Sequence, residues 1–305
     1  MPYANIGPIE LCYEITGPED GEPLLLIHGL GAQLVAWYPG FCRALEDEGF
    51  RVIRFDNRDV GLSSKLDDTP DYHLQDMTSD VEGLLVTLGL DAVHVVGQSM
   101  GGMIAQQLAI AHPERVRSLC SIYSAPSTEF LTQELQAVLQ RPAILDREGT
   151  IRQWIETERL SGLDGFDESR IYDFAAAIYD RSYCPAGFER QSRALLTAPD
   201  QRPGLAQLTI PTAVIHGRDD RLISYRGGIA TAMAVPGAEL HLYAGMGHQV
   251  APHLWSDYVR VITRNIERAE PDRAEIPTAA MPYPTSGDRG DASPVRTSAV
   301  LTEAI

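Results

Sequence analysis

Basic residues are scarce in this chain of 305 residues, which has 25 Lys and Arg against 42 Asp and Glu and a formal net charge of -17. Nucleic acids and anionic membrane surfaces are both densely negative, so they would repel such a protein surface. The composition therefore excludes nucleic acid as an expected partner and predicts no attachment to anionic membranes.

Long apolar runs are also absent. No stretch approaches the roughly 20 apolar residues of a membrane span, so no stable membrane insertion is expected. The opening segment MPYANIGPIELCYEITGPEDG has neither the basic start nor the apolar run of a signal peptide. Together these absences predict a soluble protein of the cytoplasm.

Cysteine is rare and scattered. The four cysteines are Cys12, Cys42, Cys120 and Cys184, and they show neither a CxxC pattern nor the Cys/His spacing of a zinc site. Scattered reduced thiols are therefore expected, with no disulfide framework and no bound metal.

The chain does have a regular alternation of short apolar runs with longer helical patterns, which is typical of a mostly parallel sheet covered by helices on both faces. The predicted strands are Pro8–Ile15, Pro23–Gly29, Arg51–Asp56, Val93–Gly97, Val116–Ala125, Thr212–Gly217 and Glu239–Gly245. Helical patterns include Tyr38–Glu48, His73–Leu88, Met100–His112 and His253–Glu270.

The alternation stops over residues 126–207, where only helical patterns separated by Pro and Gly are found. We expect a helical insertion there, between two parts of one core domain, residues 1–125 and 208–270. Residues 271–305 are rich in Pro, Ser, Thr and Ala and have almost no aromatics, which predicts a disordered tail.

A serine lies between glycines where a predicted strand becomes a helix. The segment Gly97-Gln98-Ser99-Met100-Gly101 matches G-x-S-x-G, and its strand–turn–helix context is what that motif requires. The sharp turn exposes the Ser99 hydroxyl at the carboxyl edge of the sheet, in front of a helix N-terminus that favours developing negative charge. Ser99 is thus a candidate nucleophile.

A nucleophilic serine needs a base, and position favours His248 among the eight histidines of the chain. His248 lies in the Gly-flanked loop AGMGHQV, just after a predicted strand. His253, at the start of the last helix, is the nearest rival. Three other candidates are expected to have structural roles, because they lie within predicted strands or at a helix end: His112, His216 and His241.

The group that orients the base should follow the strand between the serine and the histidine. The segment IHGRDDRLIS places Asp219 and Asp220 there, and spacing alone leaves both open as the catalytic acid. One of them is expected to serve as an N-cap.

An oxyanion hole is expected in the loop IHGLGAQ after an early strand. The backbone N–H groups of Leu30 and Met100 are the predicted donors. His28, in the same loop, is expected to brace the turn and not to transfer a proton.

With these residues placed, the chain resembles the α/β-hydrolase superfamily over about Ile6 to Glu270. The patterns HG-x-G, G-x-S-x-G, G-x-x-D and a late G-H occur in the family's order, each after a predicted strand. The resemblance implies an α/β-hydrolase fold, with Ser99, Asp220 and His248 as the triad and Asp220, not Asp219, as the acid.

A further segment, FDNRDVGLSS, looks like the family's D-x-R-G-x-G-x-S turn. The resemblance implies a structural role for Asp56 and Arg58 in it, and Gly61 and Ser63 are in register. Asp59 replaces the usual Gly. This variation and the segment GLGAQ make the chain look most like aclacinomycin-methylesterase-like and lipase/esterase-like members.

The resemblance also implies that the helical insertion is a cap over the substrate pocket. Its aromatic residues Trp154, Phe174 and Tyr179 could line an acyl or alcohol pocket, but each taken singly is expected in the small core of the insertion itself.

These features predict a serine hydrolase that cleaves a small-molecule carboxylic ester through an acyl-enzyme and needs no cofactor. A serine nucleophile argues against dehalogenase or epoxide hydrolase chemistry. Hydrolysis of a thioester, a lactone or a carbon–carbon bond, and perhydrolase chemistry, stay open. So does a receptor that keeps the triad but turns over little. The sequence does not predict the oligomeric state.

Overall fold

The computed structural model of the chain describes residues 1–66, 71–144, 146–162 and 167–269. The predicted tail, residues 271–305, lies outside the described residues. In the described part of the chain, no helix is both long enough and apolar enough to cross a membrane.

An eight-stranded sheet forms the centre of the molecule, in the order β1-β2-β4-β3-β5-β6-β7-β8. The strands are β1 Tyr3–Ile6, β2 Ile9–Thr16, β3 Glu22–Ile27, β4 Phe50–Phe55, β5 Val93–Gln98, β6 Val116–Ile122, β7 Thr212–Gly217 and β8 Glu239–Tyr243. The β1–β2 and β2–β4 pairs are antiparallel, and all other neighbours are parallel. The predicted, mostly parallel sheet is thus confirmed.

Ten α-helices occur among the described residues. They are α1 Pro39–Asp47, α2 Leu74–Thr87, α3 Met100–Ala111, α4 Gln133–Leu139, α5 Arg147–Leu160, α6 Glu168–Arg181, α7 Pro185–Leu196, α8 Arg202–Leu205, α9 Tyr225–Ala234 and α10 Trp255–Glu267. Helices α1 and α10 pack on one face of the sheet, and α2, α3 and α9 pack on the other. Each face has its own buried apolar cluster, as expected for a sheet covered on both sides.

The described residues between β6 and β7 form helices α4 to α8 and one short 3-10 helix, Thr128–Phe130. Helices α5 and α6 pack together around a small apolar cluster that includes Ile151, Ile155 and Ala175. Below, we call helices α4 to α7 the cap helices.

The elements differ from the sequence-based expectation at several points. Strand β1 was not predicted. Strand β6 ends at Ile122 and not at Ala125, because Tyr123 has a φ of 35°, which extended backbone does not allow. The last helix begins at Trp255 and not at His253, since Pro252–Leu254 forms a 3-10 turn first.

Candidate active site

Ser99 occupies the turn between β5 and α3 with a φ of 55° and a ψ of -127°. A positive φ is rare for a residue with a side chain and indicates backbone strain. The Ser99 amide donates to the Ile122 carbonyl at 3.0 Å, and the Ser99 carbonyl accepts the Ser124 hydroxyl at 2.7 Å. These bonds hold the strained turn in place.

Glycines next to Ser99 allow the strands and the helix to approach closely. A Cβ on Gly101 would lie 2.2 Å from the Ile27 carbonyl oxygen, and one on Gly97 would lie 2.3 Å from the Gly101 carbonyl oxygen. Any larger residue would force the backbones apart. Close packing of the backbones therefore accounts for the glycines in this motif.

His248 lies in the loop after β8, with its ring directed at the serine. Its Nε2 is 2.9 Å from the Ser99 Oγ, and its Nδ1 is 2.8 Å from the Asp220 Oδ2. Because a carboxylate only accepts hydrogen bonds, we assign the imidazole proton to Nδ1, which leaves Nε2 free to accept the serine proton.

Asp220, in the loop after β7, is only 8% exposed. Its Oδ1 accepts the backbone N–H groups of Leu222 at 2.8 Å and Ile223 at 2.9 Å. Burial alone would raise the pKa of Asp220, but the neighbouring His248 and His216 outweigh it and hold that pKa below its ordinary value. The carboxylate therefore stays ionised beside the imidazole.

The structure separates the two aspartates that spacing alone left open. The Asp219 carboxylate accepts the Gly245 backbone N–H at 2.7 Å and so stabilises the turn after β8. The rival base, His253, is exposed in its 3-10 helix and does not line the cavity in front of Ser99. Of the candidates, the structure thus brings together Ser99, His248 and Asp220.

The loop after β3 passes close to Ser99. A Cβ on Gly29 would lie 3.4 Å from the Ser99 Oγ, and Leu30 lines the cavity. Met100 begins α3 directly after the serine. Among the described residues, the N–H groups of Leu30 and Met100 have no hydrogen-bond partner, so both can donate to an oxyanion.

His28 supports that loop. Its Nδ1 accepts the Gly29 backbone N–H at 2.8 Å, and its ring lies edge-on to Trp37 at 5.3 Å. Burial, with a contribution from the nearby His248, lowers the pKa of His28 to about 3, so this imidazole is neutral. These contacts agree with the bracing role expected for it.

The turn that contains Asp56 and Arg58 stabilises loops next to the site. The buried Asp56 carboxylate accepts the Leu34 and Leu62 amides at 2.7 and 2.8 Å. Arg58 makes two hydrogen bonds with Asp80. Neither side chain lines the cavity.

Asp59, with a φ of 68°, pairs through both carboxylate oxygens with Arg190 of α7, each at 2.8 Å. The side chains are 0% and 8% exposed. Gln191, the next residue of α7, accepts the Gly31 N–H at 2.8 Å. Helix α7 is thereby attached to two loops of the core, those that follow β3 and β4.

A cavity of about 330 Å³ lies in front of Ser99. Its wall includes Ser99, His248 and Leu30 from the core, and Trp154, Phe174 and Tyr179 from the cap helices. All three aromatics thus line the cavity, which was the less favoured of the two expectations, and Trp154 also packs against the α5–α6 cluster, as the favoured one predicts.

Two residues at the site were missed by sequence reasoning. The Tyr123 ring packs on His248 with 4.5 Å between ring centroids, and His216 places its Nε2 at 3.2 Å from the Asp220 Oδ2. The available signal was position, because each residue lies at the carboxyl end of a parallel strand, where site residues of such sheets collect.

All four cysteines are free, and three of them, Cys12, Cys42 and Cys120, are buried. Over the ranges that the structure describes, no group of three His, Cys, Asp or Glu side chains could hold a metal ion.

Comparison with known proteins identifies the family. The model of the α/β hydrolase fold family matches residues 22–251, and the chain belongs to this family. The predicted fold class and the predicted superfamily are thus confirmed.

The individual proteins that the chain resembles are named for different hydrolase activities. The chain is 32% identical over 243 residues to a 2-hydroxymuconate semialdehyde hydrolase of Pseudomonas sp. (strain CF600), covering 75% of this chain and 81% of that one. A solved meta-cleavage product hydrolase from Pseudomonas fluorescens IP01 matches with a TM-score of 0.74 and 20% identity, covering 88% of this chain and 98% of that one. An esterase from Exiguobacterium antarcticum matches with a TM-score of 0.73 and 21% identity, covering 87% and 98%. At these identities the two solved structures support the fold alone.

Proposed function

We propose that this protein is a serine hydrolase that cleaves a small carboxylic ester. The observation that carries the proposal is the hydrogen-bonded series from Ser99 through His248 to Asp220, with distances of 2.9 and 2.8 Å, at the wall of a cavity. Geometry of this kind matches a nucleophile, a base and a group that orients the base.

The chemistry proceeds through an acyl-enzyme. Nε2 of His248 takes the hydroxyl proton while the Ser99 Oγ attacks the ester carbonyl, and the carbonyl oxygen becomes an oxyanion bound by the Leu30 and Met100 N–H groups. Collapse of this intermediate breaks the bond to the alcohol, which receives the proton from His248. Water, activated by the same imidazole, then releases the acid and restores the serine.

The cap helices and the core are proposed to enclose the substrate together. A cavity of about 330 Å³ is at the small end of ligand pockets, and aromatic side chains from both parts form its wall. A small-molecule ester with an apolar portion fits these walls, and no cofactor has a role in the proposed steps.

The relative named for 2-hydroxymuconate semialdehyde supports a second candidate, hydrolysis of a carbon–carbon bond by the same serine. A muconate carries a carboxylate, for which an Arg or Lys side chain in the cavity would be the strongest partner. Among the described residues, Arg141 is the only Arg or Lys side chain of the wall, and it contacts Thr157 at 3.3 Å and Glu156 at 3.9 Å. We therefore place the ester first.

A panel of p-nitrophenyl esters from acetate to long chains tests the proposal, with 2-hydroxymuconate semialdehyde assayed in parallel. We expect ester hydrolysis by the wild type and a loss of at least about 10³-fold in Ser99→Ala. Ser79→Ala, which removes an exposed hydroxyl that bonds only within α2, is the matched control and should keep full activity. Turnover of the semialdehyde alone would assign the second candidate, and ester turnover that persists in Ser99→Ala would contradict both.

A further inference from the structure

A carboxyl group lies in the cavity wall, on the cap side. Glu158 is half-buried in the last turn of α5 and lines the same cavity as Ser99. The end of this helix is attached to the catalytic loop, because the His248 backbone N–H donates to the Ser161 carbonyl at 2.7 Å. The position of Glu158 relative to the candidate base is therefore fixed by a hydrogen bond three residues further along the chain.

Few groups of the protein compensate the negative charge of the Glu158 carboxylate. From the residues that the structure describes, it accepts one hydrogen bond, from the Trp154 indole N–H at 3.2 Å. In the described part of the chain, no Lys or Arg pairs with it: Arg141 faces Thr157 and Glu156, and Arg190 is occupied by Asp59. An anion with one neutral donor in a half-buried site lacks a counter-ion.

Burial raises the pKa of Glu158, although the indole hydrogen bond and the nearby His248 act in the opposite direction. The charge of Glu158 also contributes to the raised pKa values of Tyr38 and Tyr123, after the larger effect of their burial. Both tyrosines line the cavity. The Glu158 carboxylate and the two tyrosines therefore belong to one cavity wall.

The indole that donates to this carboxylate belongs to a group of neighbouring aromatic rings in the cavity wall. The Phe174 ring lies 6.5 Å from the Trp154 ring at 81° and 5.7 Å from the Tyr38 ring, and all three line the cavity. The faces of aromatic rings attract cations, and aromatic groups combined with an acid form the usual recognition site for alkylammonium groups. An anionic ligand group would be repelled here.

We propose that Glu158, with Trp154, Phe174 and Tyr38, binds a small alkylammonium group of the substrate and so determines specificity. This inference rests on the proposed function, since it names the class of ester: one that carries a cationic, amine-derived group beside the scissile bond. Binding the cation supplies the missing counter-ion and places the ester carbonyl toward Ser99.

Two esters of the same shape test the inference, acetylcholine and 3,3-dimethylbutyl acetate, which differ by a quaternary nitrogen in place of a carbon. We expect the wild-type kcat/KM to be at least about tenfold higher for the cationic ester. In Glu158→Gln the ratio of the two values should fall to about one. Glu148→Gln removes a carboxylate from the exposed opposite end of α5 and should leave the ratio unchanged.

A binding measurement separates failure of the inference from failure of the proposed function. Tetramethylammonium chloride is titrated against the tryptophan fluorescence of the wild type, Glu158→Gln and Glu148→Gln, each checked for an unchanged melting profile. Hydrolysis of both esters at equal rates would overturn the cation site and leave the esterase assignment standing. If neither ester is hydrolysed, saturable quenching that requires Glu158 supports the site, and no quenching overturns it.

Discussion

Both oxygens of the Asp220 carboxylate are fully used. One accepts two backbone amides, and the other lies between the imidazoles of His248 and His216. The Nε2 of His216 also lies 3.0 Å from the Ile223 carbonyl oxygen, so two acceptors face it and it must carry the proton. His216 is therefore a positioning residue for Asp220, and it does not contact the serine.

We expect Asp220→Asn to lower kcat for a p-nitrophenyl ester by about 10⁴-fold, because an amide favours the wrong tautomer of the imidazole and cannot stabilise its charged form. Asp219→Asn is the matched control. It weakens only the bond to the Gly245 N–H and should change kcat by no more than a few-fold. A larger loss in Asp219→Asn than in Asp220→Asn would move the catalytic acid to Asp219.

At this scale the sequence proposes a site residue where chemistry and local pattern coincide. Ser99 has its motif and its strand–helix context, and His248 has its Gly-flanked loop after β8. Asp220 was chosen over Asp219 only through the family resemblance, because the two differ in the direction of the side chain and not in spacing. Tyr123 has only its position at the carboxyl end of β6 as a signal. The contacts of Glu158 depend on packing between distant segments, for which a single sequence has no local signal.

At the scale of elements, the mostly parallel sheet could be predicted because each buried strand is a short apolar run followed by a turn. Strand β1 could not, since its four residues have the burial pattern of an edge strand and depend on antiparallel pairing with β2 through Gly7, at a φ of 57°. The cap helices were found from their patterns. Their orientation over the sheet is set by contacts such as Asp59–Arg190, which the sequence does not reveal.

Asp59→Asn tests this attachment of α7. Asn tolerates the positive φ and keeps the side-chain shape, but it leaves the buried Arg190 without its counter-ion. We expect a loss of about 3 kcal/mol in the free energy of unfolding, measured by urea denaturation.

The control for this variant is a second ion pair of the same helix α7. Asp71→Asn removes the partner of Arg193, where the side chains are 57% and 48% exposed, and should cost less than about 1 kcal/mol. Equal losses in the two variants would show that burial of the Asp59–Arg190 pair does not determine how much the pair contributes to the free energy of unfolding.

At the scale of the whole molecule, parallel strands bring distant parts of the sequence to one edge of the sheet. The loops after β5, β7 and β8 carry Ser99, Asp220 and His248, which are separated by up to 149 positions in the chain. Helices from the long excursion between β6 and β7 supply the facing wall. The proposed site thus depends on the complete sheet and on the cap helices together.

The net charge of -17 makes a separate prediction for the intact protein. At low ionic strength, where screening is weakest, we expect no co-sedimentation with phosphatidylserine vesicles and no shift of a DNA duplex in a gel. Binding to either that disappears with added salt would show a local basic surface strong enough to overcome the overall charge.

The central claim is that Ser99 is an activated nucleophile. The most direct measurement is intact-mass analysis after treatment with a fluorophosphonate, followed by mapping of the modified peptide. We predict one adduct per chain, located at Ser99, and none in Ser99→Ala under the same conditions. A wild-type protein that stays unmodified, or an adduct of equal yield in Ser99→Ala, would contradict the assignment.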